Sequence, residues 1–166
     1  MKTFALLFAL AVFAAEAAHA APARDKLIGF NGIAFGTTFE AAKELLGAGA
    51  KPDTDARKNN ILLDNADFFG EKFSVNHTFA HQNRLSQSYA VAKQSTLDRA
   101  VCLSRWTNLL GKLRREFGAP DSDFNKLSAN IQMQTVEFKF ADGSVIEAMI
   151  MGCLIQLSFL SPNAVP

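Results

Sequence analysis

The feature that most constrains the fold is a pair of neighbouring segments in which side chains alternate with a period of two. In residues 72–81 the odd positions carry Phe73, Val75, His77, Phe79 and His81. Residues 85–92 alternate in the same way, with Leu85, Gln87, Tyr89 and Val91 on one side. This period is typical of β-strands that are buried on one face. We predict an antiparallel hairpin with His81 opposite Leu85, His77 opposite Tyr89 and Val75 opposite Val91.

The second face of this predicted hairpin is lined by small polar side chains. Its members are Ser74, Asn76, Thr78, Ser86 and Ser88. Because one face of an antiparallel sheet can stay in water while the other packs on a core, these residues form the candidate binding face.

Two segments with helical spacing surround the hairpin. In residues 38–46, Thr37 and Glu40 fit a capping box, and Gly47 is placed to close the helix in a left-handed conformation. The second segment has apolar residues spaced by three and four, at Leu103, Trp106, Leu110, Leu113 and Phe117. This spacing predicts a buried helical stripe, with Ser95 or Thr96 as its N-cap.

Alternation returns after a polar linker, in residues 135–140 and 146–159, on either side of a turn at Asp142-Gly143. The register that we predict here places Lys139 opposite Glu147 as a cross-strand ion pair. A further short strand is expected within residues 26–33. The predicted fold is therefore α+β, an antiparallel meandering sheet with two helices packed on one face, in the order (β)-α-β-β-β-α-β-β-β.

Residues 1–20 have the pattern of a secretory signal peptide. Lys2 supplies a basic start, residues 4–15 are apolar, and Ala18-His19-Ala20 is an A-x-A cleavage site. A membrane anchor is the alternative, but such a run spans only about 18 Å as a helix, against about 30 Å of hydrocarbon. We expect residues 21–166 to form a single globular domain that is periplasmic or secreted. No membrane span is expected, since no later segment approaches 18 apolar residues, and no lipid anchor is expected, since no cysteine lies near the cut.

The sequence contains two cysteines, Cys102 in the predicted second helix and Cys153 in the last strands. An even number of cysteines in an exported chain favours a disulfide. The chain-entropy model gives such a bridge roughly 4 kcal/mol. The alternatives are two buried thiols that pack as small hydrophobes, or a redox or metal role, for which a C-x-x-C motif is lacking.

Motifs for catalysis and cofactor binding are lacking in the sequence, which has no G-x-S-x-G, no P-loop and no G-x-G-x-x-G. His77 and His81 form H-x-x-x-H, yet on a strand they lie roughly 13 Å apart and cannot share a zinc ion. His77 is instead a candidate pH sensor if burial lowers its pKa. With 17 basic and 16 acidic side chains, the chain has no electrostatic footprint for nucleic acid. We expect no cofactor, no metal and no nucleic-acid partner.

Four segments carry a resemblance to known proteins: FGTTFEAAKELLG (35–47), FAHQNRLSQSYAV (79–91), LLGKLRREFGAP (109–120) and VEFKFADGSVIEAMIMG (136–152). Together they resemble small secreted bacterial α+β proteins, of the plan shared by the β-lactamase inhibitor protein and BamE-like outer-membrane assembly domains. The resemblance implies a helix preceding antiparallel strands and a protein partner. It assigns no binding residue.

The hypothesis that follows is a non-catalytic module, accessory or inhibitor-like, that binds a periplasmic or envelope protein. One alternative is a carrier that holds a small apolar ligand between sheet and helices, since the interior is rich in phenylalanine. Another is an enzyme whose site matches no familiar motif.

Overall fold

The computed structural model describes residues 24–52, 59–80, 82–93, 97–127 and 132–164. Two helices are present, α1 (Phe39–Leu46) and α2 (Arg99–Phe117), and a short 3-10 turn (Gly47–Gly49) follows the first. The strands are β1 (Gly29–Phe30), β2 (Ile33–Ala34), β3 (Ala50–Pro52), β4 (Asn60–Phe68), β5 (Glu71–Ala80), β6 (Arg84–Ala92), β7 (Ser122–Leu127), β8 (Gln132–Lys139), β9 (Val145–Met151) and β10 (Leu154–Leu160).

The predicted α+β class is confirmed. Strands β3 to β10 form one antiparallel sheet in the order β3-β4-β5-β6-β10-β9-β8-β7, and β1 and β2 form a separate hairpin. The prediction omitted β3 and β7, which are the two edge strands of the sheet. Edge strands pair on one side only, so their sequences are under weaker constraint and alternate less clearly.

The described chain divides into two halves of the same plan, each a helix followed by four strands. The first half contains α1 and β3–β6, and the second contains α2 and β7–β10. The halves join at the centre of the sheet, where β6 pairs with β10 in antiparallel fashion.

Both helices begin at side chains other than those predicted. In α1, Thr38 Oγ1 accepts a hydrogen bond from the Ala41 amide, so the cap lies one residue after Thr37. In α2, one carboxylate oxygen of Asp98 accepts from the amides of Ala100 and Val101. A carboxylate at this position also interacts favourably with the positive end of the helix dipole. The predicted caps Ser95 and Thr96 lie outside the described residues.

The two helices and the β1–β2 hairpin all pack on the same face of the sheet. Helix α2 buries Cys102, Trp106, Leu109, Leu110 and Leu113 there. These side chains meet a layer from both halves of the sheet, which includes Phe73, Val75, Ala90, Val136, Phe138, Ile146, Ala148, Ile155, Leu157 and Phe159. A smaller cluster under α1 contains Ile33, Ala42, Ile61, Phe79 and Leu85. We call this side of the sheet the core face.

The Cys102–Cys153 disulfide is present, with the two Cα atoms 5.2 Å apart. It ties the first turn of α2 to the tight turn between β9 and β10. Disulfides of this kind persist in oxidising compartments. Within the described residues, no helix is both long enough and apolar enough to cross a membrane.

Candidate functional site

The side of the sheet opposite the helices is the candidate site, and we call it the open face. Its composition depends on the register between β5 and β6, which differs from the predicted one. Phe79 pairs with Leu85, but beyond a bulge His77 pairs with Ser88 and Asn76 with Tyr89. The turn begins one residue earlier than predicted, since Ala80 pairs with Arg84, and Gln82 and Asn83 both have positive φ. An inserted residue then moves every later side chain of β6 to the other face.

This register separates the five residues of the predicted binding face. Ser74, Asn76 and Thr78 lie on the open face, as expected from their positions on β5. Ser86 lies in the bulge, where its hydroxyl donates to the carbonyl of Thr78. Ser88 is wholly buried on the core face, so its assignment to the open face was wrong. Whether the remaining residues bind a partner stays a prediction.

The register of the second hairpin also differs from the predicted one, here by two residues, so the side chains keep their faces but change their cross-strand partners. Glu147 lies opposite Glu137 rather than opposite Lys139, and Lys139 lies opposite Val145. The predicted Lys139–Glu147 pair was therefore wrong, because the midpoint of the turn is Asp142 rather than Gly143, and each residue of β8 pairs two positions earlier on β9. Instead, Lys139 makes its ion pair within β8, with Nζ 3.6 Å from Glu137 Oε2.

Together, the two registers produce a row of polar side chains across the centre of the open face. In order across five strands, the row contains Asn76, Tyr89, Ser158, Glu147 and Glu137, each directly opposite the next. We call it the polar row. The Tyr89 hydroxyl donates to Gln156 Oε1 at 2.5 Å, which holds the phenol against the sheet.

Glu147 is the unusual member of the polar row. Its carboxylate has no hydrogen bond or ion pair to any described residue, and it lies between Ser158 and a second carboxylate. Burial raises the pKa of Glu147, and the charge of Glu137 raises it further. Like charges directly opposite each other on adjacent strands are destabilising. The fold therefore keeps a partly buried negative charge that has no compensating group of its own.

Asn76, at the other end of the polar row, also has an unsatisfied atom. Its Oδ1 is buried and accepts no hydrogen bond from any described residue. Leaving a buried acceptor without a donor costs about 1–3 kcal/mol, so such atoms are uncommon in folded proteins.

Apolar side chains border the polar row on the open face. Val91, Met149 and Phe124 follow one side, whereas Val145 and Leu160 follow the other. Phe124 is 55% exposed, Met151 near one corner of this face is 43% exposed, and Leu62, opposite Asn76 on β4, is 40% exposed. The open face thus combines acceptors at its centre with apolar groups around them. Protein interfaces commonly have both kinds of group.

His77 is not on the open face. It is wholly buried on the core face, near the ring of Phe30, with Nδ1 2.8 Å from Ser88 Oγ. Burial lowers the pKa of His77 to about 4. His81 lies outside the described residues, and among those that are described no group of three or more His, Cys, Asp or Glu side chains could hold a metal ion.

A cleft of about 540 Å³ opens at one end of the sheet. Leu27, Phe35 and Leu85 contribute apolar walls, and Lys26, Arg84 and Asp142 bring charges to it. The Arg84 guanidinium is held there by a hydrogen bond to the carbonyl of Gly36. By contrast, the space between sheet and helices is filled by packed side chains in the described part of the chain.

These features define an α+β protein with an exposed, partly polar sheet face. No family model matches the chain, and comparison with curated proteins and with solved structures also gives no significant match. The site must therefore be interpreted from its own geometry.

Sequence reasoning missed Tyr89 and Glu147 as members of the site. Tyr89 was assigned to the buried side, and Glu147 was given a partner that it does not have. The alternation of β9 correctly predicts that Glu147 faces away from the core. The identity of its neighbour depends on where the turn is centred, which alternation does not report.

Proposed function

We propose that this protein is exported and binds another protein of the cell envelope through the open face of its sheet. The observation that carries the proposal is the asymmetry of the sheet: every described helix packs on one side, and the other side presents exposed apolar groups around a carboxylate that has no cation beside it. Large antiparallel sheets with one solvated face are usually polar there, whereas exposed apolar groups mark interaction surfaces.

Export is supported by the signal-peptide pattern of residues 1–20 together with the disulfide. The intact mass of the protein recovered from the envelope fraction tests it. A chain that begins at Ala21 and carries no free thiol is expected. A mass that retains the leader, or two thiols that react with an alkylating reagent, would contradict export.

Photo-crosslinking tests the binding face. A photoreactive phenylalanine analogue is placed at Met149 on the open face, or at Glu44, which is exposed on α1 on the opposite side of the molecule. Irradiation of intact cells should give an adduct with an envelope protein from position 149 and none from position 44. No adduct at 149, or equal adducts at both positions, would overturn the proposal.

The cleft at the end of the sheet favours a second candidate, a carrier of a small ligand with an apolar body. Its volume lies within the range of small-molecule sites. Native mass spectrometry of the protein from its producing cell should then show a bound species, and Ser86→Phe, which places a ring in the cleft, should remove it. Identical masses under native and denaturing conditions would dismiss this candidate.

A further inference from the structure

We infer that the partner places the charged end of an arginine or lysine side chain on Glu147, at the centre of the open face. This inference rests on the proposed function and adds the chemistry of the partner. It is carried by the uncompensated carboxylate of Glu147 and by the apolar side chains that lie beside it on the open face.

None of the described residues of the open face places a cation on Glu147, and the charge of Lys93, just after β6, acts on Asp64. Lys51 pairs with Asp64 at 3.0 Å, Lys72 pairs with Asp67 at 3.0 Å, and Lys139 pairs with Glu137. Among the described residues, Glu147 is therefore the acidic group of this face that has only another carboxylate beside it. A charge in partly desolvated surroundings gains more from a cation than an exposed charge does, because the local dielectric is lower.

The surroundings of Glu147 suit a long basic side chain. Met149 lies two residues along the same strand, and Val145 lies two residues the other way, so both project on the same face as Glu147. Apolar groups on either side can cover the methylene stem of an arginine or lysine while its charged end reaches the carboxylate. An arginine has the further advantage of two parallel donors for one carboxylate.

The experiment selects random short peptides, displayed on phage, against the purified oxidised protein and against Glu147→Lys. This variant is expected to fold at least as well as the wild type, because the introduced lysine lies opposite Glu137 and forms a favourable cross-strand pair. Glu44→Lys, on the opposite side of the molecule, is the matched control.

Peptides selected on the wild type and on Glu44→Lys should be enriched in arginine or lysine, and should bind Glu147→Gln about tenfold more weakly. On Glu147→Lys the selection should change to peptides that carry aspartate or glutamate. A change in the sign of the selected charge follows from direct contact and would not follow from a structural role of Glu147.

The same experiment separates failure of the inference from failure of the proposed function. Peptides that shift the amide resonances of Tyr89 and Ser158 but carry no excess of basic residues would overturn the inference and leave the open face as a binding site. Peptides that bind elsewhere, or the absence of any selected peptide, would count against both.

Discussion

His77 Nδ1 lies 2.8 Å from Ser88 Oγ across the β5–β6 pair, and His77 Nε2 has no described partner in the buried layer. This bond replaces the predicted contact between His77 and Tyr89. It places a neutral imidazole in the core, where the charged form is disfavoured by the loss of water.

The first prediction concerns pH. Burial lowers the pKa of His77 from 6.5 in the unfolded chain to about 4. The unfolded state therefore binds the proton first, so stability is fully present above pH 6.5 and is lost as the pH falls toward 4. The loss across this interval should be about 3 kcal/mol. Urea unfolding over the interval measures it.

A variant that does not titrate provides the control. His77→Gln lowers stability at neutral pH, yet its stability should change less between pH 6.5 and pH 4 than that of the wild type. The same pH dependence in both proteins would show that other groups, and not His77, are responsible.

The second prediction is that Glu147→Gln stabilises the protein at neutral pH. The folded-state pKa of Glu147 lies above its ordinary value of 4.5. The protonated side chain therefore contributes to the free energy of unfolding below pH 4.5, and this contribution is lost as the pH rises through the folded-state pKa. Removing the charge should gain about 0.5 kcal/mol once solvent screening is allowed for. Chemical denaturation checks this against Glu44→Gln, which should be neutral.

A gain for Glu147→Gln that is equally large in acid would exclude charge repulsion as its cause. Together with the expected loss of binding, the predicted gain would mark Glu147 as a residue retained for contact at the expense of stability.

The third prediction concerns the disulfide. Cys102 and Cys153 are separated by 51 positions in sequence, and the chain-entropy model gives about 4 kcal/mol for closing such a loop. The double variant Cys102→Ala/Cys153→Ala should lower the free energy of unfolding by up to that amount. Adding a reductant should destabilise the wild type and leave the variant unchanged. A reductant effect on the variant would point to a cause other than this bridge.

The fourth prediction contrasts two glycines. Gly29 has φ +155°, and a Cβ there would lie 2.0 Å from the carbonyl oxygen of Ile33 on the paired strand β2. Gly29→Ala should therefore cost more than about 1 kcal/mol. Gly111 lies within α2, where a Cβ would meet only the end of Arg115 at 3.8 Å. Gly111→Ala should gain about 0.5–1 kcal/mol, since glycine is a poor helix former. Thermal melts of both variants test the contrast.

How much of this structure follows from the sequence can be judged from the helices and the core. The spacing of Trp106, Leu110 and Leu113 correctly predicts α2 and its buried side, because hydrophobic periodicity reports burial directly. The pairing of Cys102 with Cys153 was expected because the sequence has an even number of cysteines and a signal-peptide pattern. The edge strands β3 and β7 were missed because their side chains are largely exposed and alternate little.

The composition of the open face was less predictable. Alternation places Asn76 and Glu147 on the outer side of their strands, which is correct. Their neighbours depend on the bulge at Ser86 and on the position of the turn before Val145, and moving either by one residue changes every cross-strand pair beyond it. These features are set by backbone conformation at a few positions, such as Gln82 and Asn83, for which a single sequence has no distinct signal.

The pairing of β6 with β10 has a consequence for how the molecule is assembled. In this pairing Val91 lies opposite Gln156, near the end of the chain. During synthesis the first half therefore emerges with the edge of β6 unpaired, because β10 has not yet been made. The Cys102–Cys153 disulfide joins two positions of the second half, so it cannot hold the two halves together. Until β10 has been synthesised, the exposed edge of β6 can pair with β10 of another copy. At high protein concentration, this pairing would produce domain-swapped oligomers.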